Sequence, residues 1–93
     1  MNEYKKEVNT IIRKVAGSGG TLLNEFLDDL LTIGEYEEIA RRWQIVKMLE
    51  SGIPQREIAE RLGVGVATVT RGAKELADKK GGFRKAITKF GAK

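Results

Sequence analysis

Apolar residues recur at the spacing of helical turns along most of the chain, and nowhere do they alternate over several residues as in a half-buried strand. Val8, Ile11, Ile12 and Val15 make a first stripe, predicting a helix over residues 2–16 that ends at Gly17-Ser18-Gly19-Gly20, where the chain is free to reorient. From Thr21, the expected N-cap, Leu22, Leu23, Phe26, Leu27, Leu30 and Leu31 form a stripe broader than one intramolecular contact requires. Such a stripe points to an oligomer core rather than to a ligand box. Gly34 is expected to break it, after which Ile39, Trp43, Val46 and Leu49 run through a third helix to Ser51-Gly52, with Trp43 in the core. Pro54 suits the first turn of the next helix, where its missing N–H has no partner in any case. After Leu76 the segment ADKKGG is a stop, and Phe83, Ile87 and Phe90 give a last short amphipathic helix with Lys and Arg on its other side. The pattern predicts an all-α chain of six helices without a strand.

The segment from Gln55 to Lys74, QREIAERLGVGVATVTRGAK, has the spacing of two short helices crossing at a tight turn. Ala59 must be small because the second helix crosses close over the first, and Gly63 supplies a left-handed cap that other residues adopt only with strain. Ile58, Leu62, Val66 and Val69 are expected to lock the crossing. Thr68, Thr70 and Arg71 then face outward, with Ala67 small enough to lie against a thymine methyl group, and these are side chains that touch bases and phosphates. An ordinary helical hairpin explains the turn but not its coincidence with a small crossing residue and a Thr/Arg face. Gly72 interrupts the second helix at a cost of about 1 kcal/mol relative to alanine, so something must approach its backbone closely.

Ninety-three residues allow one domain with a modest core, which association with a second copy would enlarge. Within it, residues 1–20 form the N-terminal helix and glycine-rich linker, 21–52 the dimerisation helices, 54–77 the helix-turn-helix and 78–93 a basic tail. The formal net charge of +4 is concentrated at one end: Arg71, Lys74, Lys79, Lys80, Arg84, Lys85, Lys89 and Lys93 are opposed there only by Glu75 and Asp78. A polyanionic partner suits that distribution. Without cysteine or histidine there are no disulfides, thiolate metal sites or nucleophilic thiols, and the commonest general base is missing. The carboxylates Asp28, Asp29, Glu35, Glu37 and Glu38 read as solvated helix faces. Neither an enzyme nor a metal site is expected. The N-terminal stretch MNEYKKEVNTIIRKV holds no apolar run long enough for secretion or a bilayer, so the expected location is cytoplasmic, with no membrane partner.

The blocks LLTIGEYEEIA, RRWQIVKMLESG and PQREIAERLGVGVATVTRG together resemble the tryptophan repressor family over residues 22–77, with GVATVTRG the most specific part. The resemblance implies a six-helix, Trp-repressor-like intertwined homodimer with helix-turn-helix heads. It further implies a transcriptional repressor on a palindromic operator in double-stranded DNA, with L-tryptophan or an indole relative as corepressor and no other cofactor required. The family includes a related subfamily whose ligand is unassigned. Position by position, Thr32 matches the residue that touches the corepressor carboxylate, and Arg42 and Arg71 match the two arginines whose planes enclose the indole ring. Gly72 would be bare backbone beside the ligand. Glu75 departs from the pattern, because tryptophan-binding members place there a serine that accepts a hydrogen bond from the ligand ammonium. A carboxylate can pair with that ammonium more strongly, or it can pair with Arg71 one turn earlier and occupy the arginine without any ligand.

The family's DNA-contacting positions fall on Arg56, Gly65, Val66, Ala67, Thr68 and Thr70, while Lys74, Lys79 and Lys80 are placed for phosphate contacts. Two basic family positions are occupied by Ala59 and Ala77, which implies a different operator sequence. Bland readings exist as well: Arg42 beside Arg41 as a solvated face or phosphate contact, and Thr32 as a helix terminus. The competing functional reading is a ligand-independent DNA-binding protein, or an adaptor of the same superfamily that recruits a partner protein.

Overall fold

Six helices follow one another in the computed structural model: α1 (Asn2–Gly17), α2 (Gly20–Leu30), α3 (Ile33–Glu50), α4 (Gln55–Leu62), α5 (Val66–Ala77) and α6 (Gly82–Phe90). The structure describes residues 1–91, so Lys93 of the basic tail lies outside the described residues. Among these residues there is no strand, and no helix is long and apolar enough to cross a membrane. The chain divides into two compact units, Met1–Glu37 and the remainder from Glu38, with the division falling inside α3.

In the N-terminal unit α1 packs against α2, with Val15 buried. The Ser18 hydroxyl donates to the Val15 carbonyl (2.8 Å), and Gly19 turns the chain at φ +121°, a conformation open to glycine. Gly19 itself is the N-cap of α2, so Thr21 sits inside the helix instead of capping it: the glycine pair lets the helix start earlier. None of the residues of α2 is buried, and Leu22 and Leu30 are each 48% exposed. The break between α2 and α3 falls at Leu31-Thr32 rather than at Gly34, which lies in the first turn of α3. Its cause is a capping box. The Glu35 amide donates to the Thr32 hydroxyl oxygen (3.1 Å), and the Thr32 amide donates to the Glu35 carboxylate (2.9 Å). Glu35 is thus a structural residue and not merely part of a solvated face.

Two apolar clusters hold the C-terminal unit together. Ile45, Ile58, Ala59 and Val69 form the first, flanked by Met48, Leu49, Ile53, Leu62 and Val64. Val46, Leu76 and Ile87 form the second, flanked by Trp43, Leu49 and Phe83. Trp43 therefore sits half-buried at the edge of a cluster rather than in its centre. Two expected apolar contacts are absent: Val66 is 47% exposed, with Val64 in the turn packing where Val66 was expected, and Phe90 at the end of α6 is 73% exposed. Pro54 precedes α4 as its N-cap, in extended conformation (φ −60°, ψ 144°), its carbonyl accepting from the Ile58 amide (3.0 Å). Arg84 donates to both carboxylate oxygens of Glu50 (3.1 and 3.2 Å), tying α6 to the end of α3.

Candidate functional site

The crossing of α4 and α5 is built by the turn between them. Gly63 adopts the left-handed conformation (φ 65°, ψ 35°), its amide donating to the Glu60 carbonyl (3.4 Å) while the Val64 amide donates to Ala59 (3.1 Å). This pair of bonds is a Schellman cap, which satisfies the terminal carbonyls of α4 and fixes the direction in which the chain leaves it. Gly65 then caps α5, its carbonyl accepting from the Thr68 and Val69 amides (3.1 and 3.4 Å). Ala59 and Val69 are buried at the crossing. The two helices have the geometry of a helix-turn-helix, as the spacing predicts.

With Val69 and Leu76 buried, α5 turns its other side to solvent. Ala67, Thr68, Thr70, Arg71 and Lys74 are all exposed on it, Gly65 and Val66 are exposed at its start, and Arg56 is exposed in the first turn of α4. Gln55, which periodicity alone does not single out, joins the two helices. The Thr70 hydroxyl donates to its amide oxygen (2.7 Å), leaving the Gln55 amide N–H groups as donors beside Arg56. A bond between residues 15 apart in sequence has no trace in either helix's own pattern.

A cavity of about 200 Å³ lies between α3, α5 and α6, lined by Glu38, Arg42, Ile45, Thr68, Arg71, Gly72, Glu75 and Phe83. Four of the five expected ligand residues, Arg42, Arg71, Gly72 and Glu75, are therefore brought together. The fifth, Thr32, belongs to the N-terminal unit, where its hydroxyl caps α3. Gly72 has a close neighbour within the protein. A Cβ placed there would lie 2.9 Å from Ile45 Cγ2 and 3.8 Å from Leu49 Cδ1, so its first role is to let α3 approach α5.

Glu38 and Phe83 line the cavity without having been singled out by the sequence. The Glu38 carboxylate is no plain solvated group, since it accepts from Arg41 (3.3 Å) and pairs with Arg42 (3.4 Å). By contrast, Arg71 and Glu75 do not pair with each other, although they are four residues apart on one helix; among the described residues the ion pairs lie elsewhere. In this structure Glu75 does not occupy Arg71. No group of His, Cys, Asp or Glu among the described residues is arranged to hold a metal ion.

The helix order, the capped turn and the paired arginines at one cavity coincide with a match of residues 6–90 to the family model described as Trp repressor protein. The chain belongs to the Trp repressor family. The match takes in α2 to α6 entire and α1 from its second turn. A Trp operon repressor homolog from Vibrio campbellii is 43% identical over 79 residues, covering 83% of this chain and 78% of that protein. Another, from Chlamydia trachomatis serovar L2, is 39% identical over 70 residues, covering 70% and 74% respectively. No solved structure matches. Membership of the Trp repressor family makes the chain a transcriptional repressor by kind, in a regulatory rather than an enzymatic family.

Proposed function

We propose that this protein is a sequence-specific DNA-binding repressor that acts as a homodimer on a palindromic operator, each protomer placing the start of α5 in a major groove. The observation that carries this reading is the division of α5. Its apolar side is anchored by Val69 and Leu76, while Ala67, Thr68, Thr70 and Arg71 project from a helix whose direction is fixed by the Gly63 cap. Thr68 and Thr70 contact base edges directly or through water, Ala67 lies against a thymine methyl, and Arg56 and Lys74 hold phosphates or guanine edges. Gly65 and Val66 bring the backbone of the turn to the groove. Two such heads spaced about 34 Å apart would engage successive turns of the same face of the duplex.

The homodimer is supported by the apolar side chains that the single chain leaves exposed. Leu22, Leu30 and Ile33 in the N-terminal unit and Ile39 in α3 are 46 to 81% exposed, and no residue of α2 is fully buried. All 93 residues then form one Trp-repressor-like domain completed by its partner, with residues 21–52 at the interface, in the cytoplasm. The cavity takes L-tryptophan or an indole relative as corepressor, with the Arg42 and Arg71 guanidinium planes stacking on the ring.

Thr68→Ala tests base reading. Affinity for the selected operator should fall roughly tenfold, the value of one base contact, while affinity for random duplex stays within about twofold. Competitive gel-shift titration separates the two; an equal loss on both DNAs would contradict a base-reading Thr68.

A further inference from the structure

One side of α6 is spent on the fold and the other is left to solvent. Phe83 and Ile87 pack with Val46, Leu76 and Trp43, and Arg84 reaches both carboxylate oxygens of Glu50 (3.1 and 3.2 Å), so the rotation of the helix about its axis is fixed. Lys85 and Lys89, one helical turn apart, stand away from that packing, both exposed and about 6 Å apart along the axis. Lys79 and Lys80, exposed in the turn before α6, link them along the chain to Lys74 near the end of α5. From Lys79 to Gly91 there is no Asp or Glu, and none of these lysines forms an ion pair among the described residues. Asp78, the nearest acid in sequence, accepts from the Lys80 amide (3.0 Å) and so serves the turn itself.

We propose that the outer side of α6, with Lys85 and Lys89, is a second phosphate-binding surface that holds the duplex flanking the half-site read by α5. The inference rests on the reading of α5 as the DNA-reading helix and extends the contact beyond that helix. Placement favours a duplex as the partner. Leu76 of α5 and Ile87 of α6 share one cluster, and Phe83 lines the same cavity as Thr68 and Arg71, so the start of α6 lies beside the exposed side of α5. The chemistry agrees, because lysine is a flexible point charge that meets phosphates without reading bases, and flanking DNA is then held whatever its sequence. An anionic bilayer, by contrast, needs an apolar helix side to bury, and that of α6 is committed to the core. Phe90 alone remains outside it, with the Lys89 ammonium 5.4 Å from its ring centre.

Gel-shift titration of the full chain on two duplexes tests this: the selected palindrome alone, and the same palindrome extended on each side by about one helical turn (~10 bp) of random sequence. The native chain should bind the extended duplex about tenfold tighter. In Lys85→Gln combined with Lys89→Gln that gain should vanish, and the log-log salt slope on the extended duplex should become shallower by about 3 to 4, for four phosphates lost across two protomers at about 0.9 each. Lys5→Gln combined with Lys6→Gln removes the same charge from exposed positions of α1 and should leave both readouts unchanged. Equal affinities of the native chain for the two duplexes, an unchanged slope in the α6 variant, or an equal loss in the α1 variant would overturn the proposal. Binding to phosphatidylserine vesicles that depends on Lys85 and Lys89, with no effect of the flanks on DNA affinity, would overturn it in favour of a membrane surface. If neither duplex is bound, the reading of α5 falls together with this one, a result distinct from a palindrome bound without regard to its flanks.

Discussion

Replacing Leu30 with glutamate is expected to dissociate the proposed homodimer and to lower operator affinity by about a hundredfold or more. Leu30 is 48% exposed in the single chain, and a substitution on such a surface ordinarily changes the stability of a monomer by no more than about 0.5 kcal/mol. On an α2 that meets a second copy, the change removes about 1.5 kcal/mol or more of apolar burial and brings an unpaired carboxylate into the interface. Two-fold symmetry imposes this on both protomers, so the combined loss exceeds about 3 kcal/mol, which is more than a hundredfold. Sedimentation analysis and gel-shift titration read the two consequences separately. A variant that remains dimeric and binds the operator as before would remove α2 from the interface.

The second large effect lies where the helix-turn-helix joins its support. Ile58 is completely buried among Ile45, Ala59 and Val69, at the meeting of α3, α4 and α5. Truncation to alanine leaves a cavity that these neighbours cannot close, because Ile45 already limits the approach at Gly72 and Val69 is stiff at its branched Cβ. The expected loss is about 3 kcal/mol, a large part of the 5–15 kcal/mol that stabilises a domain. Urea unfolding followed by circular dichroism should show the midpoint lowered with an unchanged slope. An unchanged midpoint would mean that the crossing is held elsewhere.

The six helices were legible because each carries a period of apolar residues that does not depend on its neighbours. The turn at Gly63 was legible for a related reason: a left-handed cap requires a residue type, and that requirement is local. Helix starts were read less well. Thr21 has the chemistry of a cap, yet Gly19 and Gly20 let α2 begin before it, whereas Thr32 and Glu35 form the T-x-x-E capping box that marks the true start of α3. Val66 and Phe90 sit at the ends of their helices, where a residue continues the apolar period but has no neighbouring element to cover it.

At the candidate site, Arg42, Arg71, Gly72 and Glu75 followed from the family resemblance, and one cavity gathers them. Glu38, Phe83 and Gln55 are not marked as site residues by the pattern: Phe83 reads only as the apolar face of α6, Glu38 as one carboxylate among several on α3, and Gln55 is singled out only by its bond to Thr70 across the turn. Gly72 shows the same limit from the other side. Its cost as a helix residue pointed to a close approach, but only the packing of α3 shows that the approaching atom belongs to Ile45.

That α5 reads duplex DNA is tested most directly by the salt dependence of binding to a palindromic duplex selected by the protein. Arg56, Lys74, Lys79 and Lys80 on two heads can neutralise six or more phosphates, and each phosphate contributes about −0.9 to the slope of log affinity against log salt. The slope between about 50 and 200 mM salt should therefore be about −5 or steeper. A slope near zero, or failure to enrich any sequence in the selection, would contradict it.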